Sequence, residues 1–271
     1  MKRFDTTVTS IRPVAEGYHE LRFAWPATAD DPAGEAGLPA PGRFFTIKAG
    51  GRYDPALRRP FAFSGYVPTA DGGGEAVFVF QVRGRGTGFL AALTPGDALD
   101  VLGPLGTGFG KPANGSRPIL VAGGIGVGPM LYLAHALAAD AKAGLCEAPV
   151  MAMGFRNASY VPDLPLPEGT VICTDDGSAG YRGTVASWLE GFDPGAPPHL
   201  FACGPVPMMA AVDRIAQARR APYEAALEQW MACGVGACAG CAVALKSGGF
   251  IKACTDGPVY DGSLIDWEAA R

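Results

Sequence analysis

The chain has 271 residues, 48% of them hydrophobic and 18% charged, with a net charge of −4. This length suits two or three small domains. The acidic balance, with no basic stripe, argues against nucleic acid or an anionic membrane as a partner, and the opening MKRFDTTVTS lacks the apolar stretch of a signal peptide, so a cytoplasmic protein is expected.

Residues 1 to about 112 read as all-β. Apolar runs such as RFFTIKA and EAVFVFQVR are separated by turn signals (APG, DGGG, TPGD), and residues 33–42 read as a loop. An antiparallel barrel or sandwich fits. Within this region ALRRPFAFSG carries an arginine pair, a proline and a serine. An arginine can hold a diphosphate or meet an electron-rich ring, though by themselves these residues read more simply as an exposed basic strand end. In RGRGTGFLAAL, Gly86 and Thr87 precede a helical run, where backbone N–H groups could receive a phosphate.

From about 116 to 222 the pattern alternates. Strand-like PILVAG, APVMAMGF, TVICTDD and HLFACG are separated by helical or loop segments, which predicts a parallel α/β sheet. Residues 118–139 carry no Asp, Glu, Lys or Arg and are long enough to span a bilayer. They read better as a buried strand, a glycine loop and an apolar helix with proline in its first turn, so no membrane span is expected. Gly123, Gly124, Gly126 and Gly128 could let a pyrophosphate approach the helix N-terminus, or could form a plain tight turn. Asp175 and Asp176 follow the third strand, where a ribose hydroxyl could bind or a solvated turn could lie. Cys203 and Gly204 end the fourth, where a nicotinamide could approach; Cys203 alone reads more often as a core residue.

Residues 223–271 form a tail with Cys233, Cys238, Cys241 and Cys254 spaced C-x4-C-x2-C-x12-C. Disulfides are rare in a reducing compartment, and structural zinc usually takes two short-spaced ligand pairs. The loop matches the spacing of plant-type 2Fe–2S ferredoxins, and the small residues between its cysteines let amides approach the sulfurs. The spacing therefore favours a 2Fe–2S cluster, with zinc and disulfides as the alternatives. Cys146 and Cys173 are scattered and read as buried small hydrophobes. The three histidines, His19, His135 and His199, fall in no motif.

In their order, RRPFAFS, GRGTGFL, VLGPLGTGF, GGIGVGPM, TDDGSAGYRG, CGPVPMM, EQWMACGVGACAGC and ACTDGPVY resemble the electron-transfer subunit of NAD-linked (class B) dihydroorotate dehydrogenase, within the ferredoxin-reductase superfamily. The resemblance covers almost the whole chain. It implies an FAD-binding β-barrel (1–112), an NAD-binding α/β domain (116–222) and a 2Fe–2S domain (223–271). It assigns Arg59, Pro60, Phe61 and Ser64 to the flavin, Gly86 and Thr87 to its pyrophosphate, and Gly124, Gly126, Asp176, Cys203 and Gly204 to NAD(H), with NADP open; Arg156, after the second strand of the α/β region, could meet a 2′-phosphate or merely cap a loop. The four tail cysteines would hold the cluster. The implied task is passing electrons between an FMN-containing dihydroorotate-oxidising subunit, in a heterotetramer, and NAD. The alternative is a similar role in an electron-bifurcating transhydrogenase, sulfide dehydrogenase or hydrogenase. One departure stands out: the family's serine slot after the proline holds Ala62, and the next serine is Ser64.

Overall fold

The computed structural model describes residues 1–27, 37–50, 56–70 and 72–270; positions 33–36 of the expected loop lie outside the described residues. The first unit is a seven-stranded antiparallel sheet built from β1 (Lys2–Ala15), β2 (Tyr18–Trp25), β3 (Phe44–Lys48), β4 (Arg59–Ala62), β5 (Gly65–Pro68), β6 (Gly74–Gln81) and β7 (Ala98–Leu105). The strand order is β4-β3-β7-β1-β2-β6-β5. The two edge strands are joined by only Phe63 and Ser64. Phe63 N–H donates to the Arg43 carbonyl on one side, and Ser64 N–H to the Val77 carbonyl on the other. Backbone bonding thus carries across the seam and the sheet curls into a barrel. Inward-facing Phe23, Phe45, Phe63 and Phe78 fill it, fully buried. Each buries well over 100 Å², which makes this aromatic cluster the main apolar contribution to the unit. Helix α1 (Arg85–Ala91) crosses between β6 and β7.

The second unit comprises β8 (Arg117–Gly123), α2 (Val127–Lys142), β9 (Val150–Phe155), β10 (Val171–Thr174), β11 (Tyr181–Arg182), α3 (Val185–Gly191), β12 (Pro198–Cys203), α4 (Val206–Arg219) and β13 (Tyr223–Ala226). The tail adds β14 (Ala242–Ala244), β15 (Phe250–Lys252) and β16 (Val259–Asp261). The sheet order is β11-β10-β9-β8-β12-β13-β16, parallel up to β13. β16 closes the edge antiparallel to β13. The sheet therefore runs past residue 222 and takes a strand from the tail, so the expected division at 222/223 cuts through it. β8 is buried on both faces, which is why it reads as an unbroken apolar run. No helix among the described residues is long and apolar enough to cross a membrane.

The tail is tied to both units. Thr107 N–H donates to the Gly257 carbonyl at 2.7 Å. Lys246 Nζ pairs with the buried Asp213 carboxylate on α4 at 3.1 Å. Gly234 lies on the barrel, where an added Cβ would stand 3.3 Å from Thr46 Cγ2.

Candidate functional site

The cysteine loop is wound so that its amides face its sulfurs. Val235 N–H and Cys238 N–H each donate to Cys233 Sγ at 3.4 Å, Gly240 N–H donates to Cys238 Sγ at 3.4 Å, and Gly236 N–H donates to Cys254 Sγ at 3.1 Å. Left-handed residues make this possible: Gly234 at φ +70°, Gly236 at φ +82° and Ala239 at φ +53°. A non-glycine there costs about 1 kcal/mol or more. Alternating backbone hand gathers N–H groups into a concavity suited to negative charge. The sulfurs fall into two pairs. Cys241 donates to Cys254 Sγ at 3.3 Å, and the Cys238 thiol faces Cys233 Sγ. Among the described residues no three His, Cys, Asp or Glu groups converge as they would on a single ion. The Val235 and Cys238 amides hold the Cys233 thiol down at about 6, while burial pushes the Cys254 thiol up to about 11.

The arginine pair of the barrel divides its work. Arg58 Nε donates to Thr46 Oγ1 at 3.0 Å, and its Nη2 donates to Asp100 Oδ1 at 2.9 Å and to the Asp100 carbonyl at 2.7 Å. It fastens β4 to β3 and β7. Among the described residues Arg59 bonds locally, its Nη1 donating to the Leu57 carbonyl at 2.6 Å, and its side chain crosses Gly86 at the start of α1. A Cβ on Gly86 would stand 2.9 Å from Arg59 Nε. The two motifs, 27 positions apart, thus form one guanidinium-and-amide cradle. The Thr87 hydroxyl accepts from Arg83 N–H at 2.9 Å and Gly84 N–H at 3.2 Å, which closes the turn before α1. β4 pairs with β3 in unbroken register, Ala62 opposite Phe44 and Pro60 opposite Thr46, so no strand shift carries Ser64 into the Ala62 slot. Ser64 is buried, and its Oγ accepts from Val79 N–H at 3.0 Å. A Cβ on Gly128 would collide with that oxygen, so Ser64 lies in the seam between the barrel and α2.

At the carboxyl ends of β8 and β12 two loops interlock. A Cβ on Gly126 would collide with the Cys203 carbonyl, and one on Gly204 would lie 2.9 Å from Gly123 N. Glycine at these places lets backbone meet backbone. Gly124 differs: at φ +53° it has open space, with the Tyr18 hydroxyl 3.5 Å from an added Cβ. Burial, with the Glu228 charge adding to it, pushes the Cys203 thiol up to about 12, so it is a neutral thiol at ordinary pH. Asp176 sits in the turn after β10. Its carboxyl is held below the usual range by the hydroxyl and N–H of Ser178, at 2.6 and 2.9 Å. That same hydroxyl accepts from Ala158 N–H at 2.8 Å, joining the loops after β9 and β10.

The fold adds neighbours with no sequence signal of their own. Tyr18 of the barrel faces the glycine loop, within reach of the charges of Arg83 and Arg156. Lys252 reaches the cysteine loop. Thr46 underlies it. A cavity of about 470 Å³ opens at the amino-terminal strand edge beside His199, Asp213, Tyr223 and Tyr260. It takes in none of the residues expected in a site, and the unpartnered Asp213 Oδ1 and Tyr260 hydroxyl are occluded from it.

A family model described as the iron–sulfur cluster binding domain of dihydroorotate dehydrogenase B matches residues 228–266. The electron transfer subunit of dihydroorotate dehydrogenase B (NAD(+)) from Desulforamulus reducens is 34% identical, over 98% of this chain and 99% of that protein. The subunit of the same name from Geobacillus thermodenitrificans is 37% identical, over 94% and 95%. In fold, the chain is similar to an NADH-dependent reduced ferredoxin–NADP oxidoreductase structure, with a TM-score of 0.79 and 24% identity over 98% of this chain and 91% of that one. It is also similar to phthalate dioxygenase reductase, with a TM-score of 0.60 and 17% identity over 90% and 87%.

Proposed function

This chain belongs to the family of the electron transfer subunits of NAD-linked dihydroorotate dehydrogenase B, and we propose that it passes electrons between a separate FMN-containing, dihydroorotate-oxidising subunit and NAD. Bound to it, a 2Fe–2S cluster and FAD supply the one-electron and hydride chemistry that its side chains lack. The task of the protein is positioning. The observation that carries this reading is the cysteine loop, whose four sulfurs stand in two pairs with backbone donors aimed at them. Two thiolates per iron is the ligand set of a 2Fe–2S centre.

Cys233 and Cys238 would form one ligand pair, and Cys241 and Cys254 the other. Arg59 and the amides around Gly86 would hold the FAD diphosphate, while Pro60 and Phe61 shape the wall beside the ring and Thr87 keeps the turn closed. Ser64, whose Oγ accepts from Val79 N–H between the barrel and α2, would support that wall beside the flavin. Gly124 offers the approach to the NAD pyrophosphate, and Gly126 holds its loop against the Cys203–Gly204 turn that borders the nicotinamide. Asp176, ionised, accepts from a ribose hydroxyl. The 1–112 barrel thus serves FAD, the α/β unit from 116 serves NAD, and the tail serves the cluster. Seven cysteines free of disulfides suit the cytoplasm, a reducing compartment.

Mixing the purified chain with the dihydroorotate-oxidising subunit of its own source tests the reading. Dihydroorotate-dependent NAD⁺ reduction should appear only in the mixture. Cys238→Ala should abolish it while sparing NADH–dye activity through FAD. A Cys238→Ala protein that still couples dihydroorotate to NAD would contradict the assignment.

A further inference from the structure

Lys252 lies at the end of β15, two residues before the last cysteine of the tail. Its Nζ donates to the Gly236 carbonyl at 3.2 Å. That carbonyl shares a peptide with Ala237 N–H, and in a planar trans peptide the two groups point in opposite directions. Ala237 N–H is directed at Cys233. The preceding peptide supplies Gly236 N–H, whose 3.1 Å approach to Cys254 Sγ is the shortest of the four N–H···S contacts above. Lys252 therefore grips the loop at a residue whose two flanking peptides serve sulfurs of both pairs.

The root of the side chain is fixed as firmly as its tip. Lys252 N–H donates to Asp256 Oδ2 at 2.8 Å, and its carbonyl accepts from Thr255 and Asp256 N–H at 3.2 and 2.9 Å. That turn contains Cys254. The residue thus joins the turn bearing the fourth cysteine to the loop bearing the other three. Its ammonium is the positive charge this contact brings to the loop, with Asp256 as the opposing charge in the same turn. Taking up one electron adds one negative charge to a cluster held there. A nearby fixed cation and well-aimed amides favour that state.

We propose that Lys252 is a positioning residue that raises the reduction potential of the 2Fe–2S cluster, by orienting the Gly236–Ala237 peptide and by holding a positive charge against the loop. The proposal rests on the reading of the tail as a 2Fe–2S site.

Redox titration followed by electron paramagnetic resonance, with iron and sulfide measured in every sample, tests it on the full chain. Lys252→Met should keep its iron and sulfide. At the potential where the unsubstituted protein is half reduced, its ratio of reduced to oxidised cluster should be lower by about tenfold, equivalent to about 59 mV for a one-electron couple. Lys252→Arg should restore most of the shift. Should Lys252→Met lose iron, Lys252→Gln carries the same comparison, since it keeps an N–H donor without the charge. An unchanged midpoint in either iron-replete variant overturns the role of Lys252 alone. An unsubstituted chain that takes up no iron and sulfide overturns the reading of the tail itself.

Discussion

Gly234, the residue after the first cysteine of the tail, packs on Thr46, which pairs across the sheet with Pro60 of the arginine–proline motif. The cysteine loop and the arginine–proline motif are thus neighbours through a single residue of β3. Gly234 is at φ +70°, and an added Cβ would press on Thr46 Cγ2 at 3.3 Å. Gly234→Val should lift the loop from the barrel. In stopped-flow experiments NADH should still bleach FAD at the normal rate, while reduction of the cluster slows by about tenfold or more, as expected when a small displacement is placed on a transfer step. Equal rates for both phases would show that this contact does not set the distance.

The two arginines of the motif should separate stability from flavin binding. Arg59→Ala removes the guanidinium over Gly86 and should weaken FAD binding by about ten- to a hundredfold, the worth of a charge-assisted contact to a diphosphate, with little change in melting temperature. Arg58→Ala removes bonds to Thr46 and Asp100 and should lower stability by about 2 kcal/mol. Flavin titration and thermal melting of the two variants together decide the matter; parallel effects would refute the division.

Asp100 supplies a pH signature for the same junction. Burial pushes its carboxyl up, but hydrogen bonds from Arg3 and Arg58 outweigh this and hold it at about 2. The folded value lies below the unfolded one, so the contribution is complete above about pH 5 and is lost as pH falls toward 2. Urea unfolding should show Asp100→Asn less stable by about 1–2 kcal/mol at pH 7, with the difference shrinking at pH 3. A difference that stays constant with pH would mean that the carboxylate charge is not what matters.

Trp230, three residues before Cys233, is 89% exposed. A tryptophan left in water beside the cluster loop fits an anchor for the partner subunit. Trp230→Ala should weaken assembly with the dihydroorotate-oxidising subunit by about tenfold or more, while NADH–dye turnover of the free chain stays the same. Unchanged affinity by sedimentation or calorimetry would move the docking surface elsewhere.

The buried strands of the α/β sheet were legible because strands covered on both faces carry continuous apolar residues. The cysteine loop was legible because close wrapping demands both its spacing and its small residues. Pairing at a distance was not. Nothing in Val259–Asp261 announces that it leaves the tail to close the sheet beside β13, since that depends on the chain's path. The surroundings of Ser64 depend on register: regular β3–β4 pairing and a buried bond to Val79 set its hydroxyl between the barrel and α2, which no short motif announces. Long β1 escaped notice because its half-exposed KRFDTTVTSIRPVA mixes polar and apolar residues on both faces. Lys252 reads as an ordinary solvated lysine until its partner carbonyl is known.

An anaerobic absorption spectrum of the purified chain, with iron, sulfide, zinc and flavin quantified, is the most direct test of the whole account. Iron and sulfide in the proportions of one 2Fe–2S cluster, with one FAD per chain and both chromophores bleached by NADH, is the predicted result. Zinc in the cysteine loop of a colourless, flavin-free protein would contradict it.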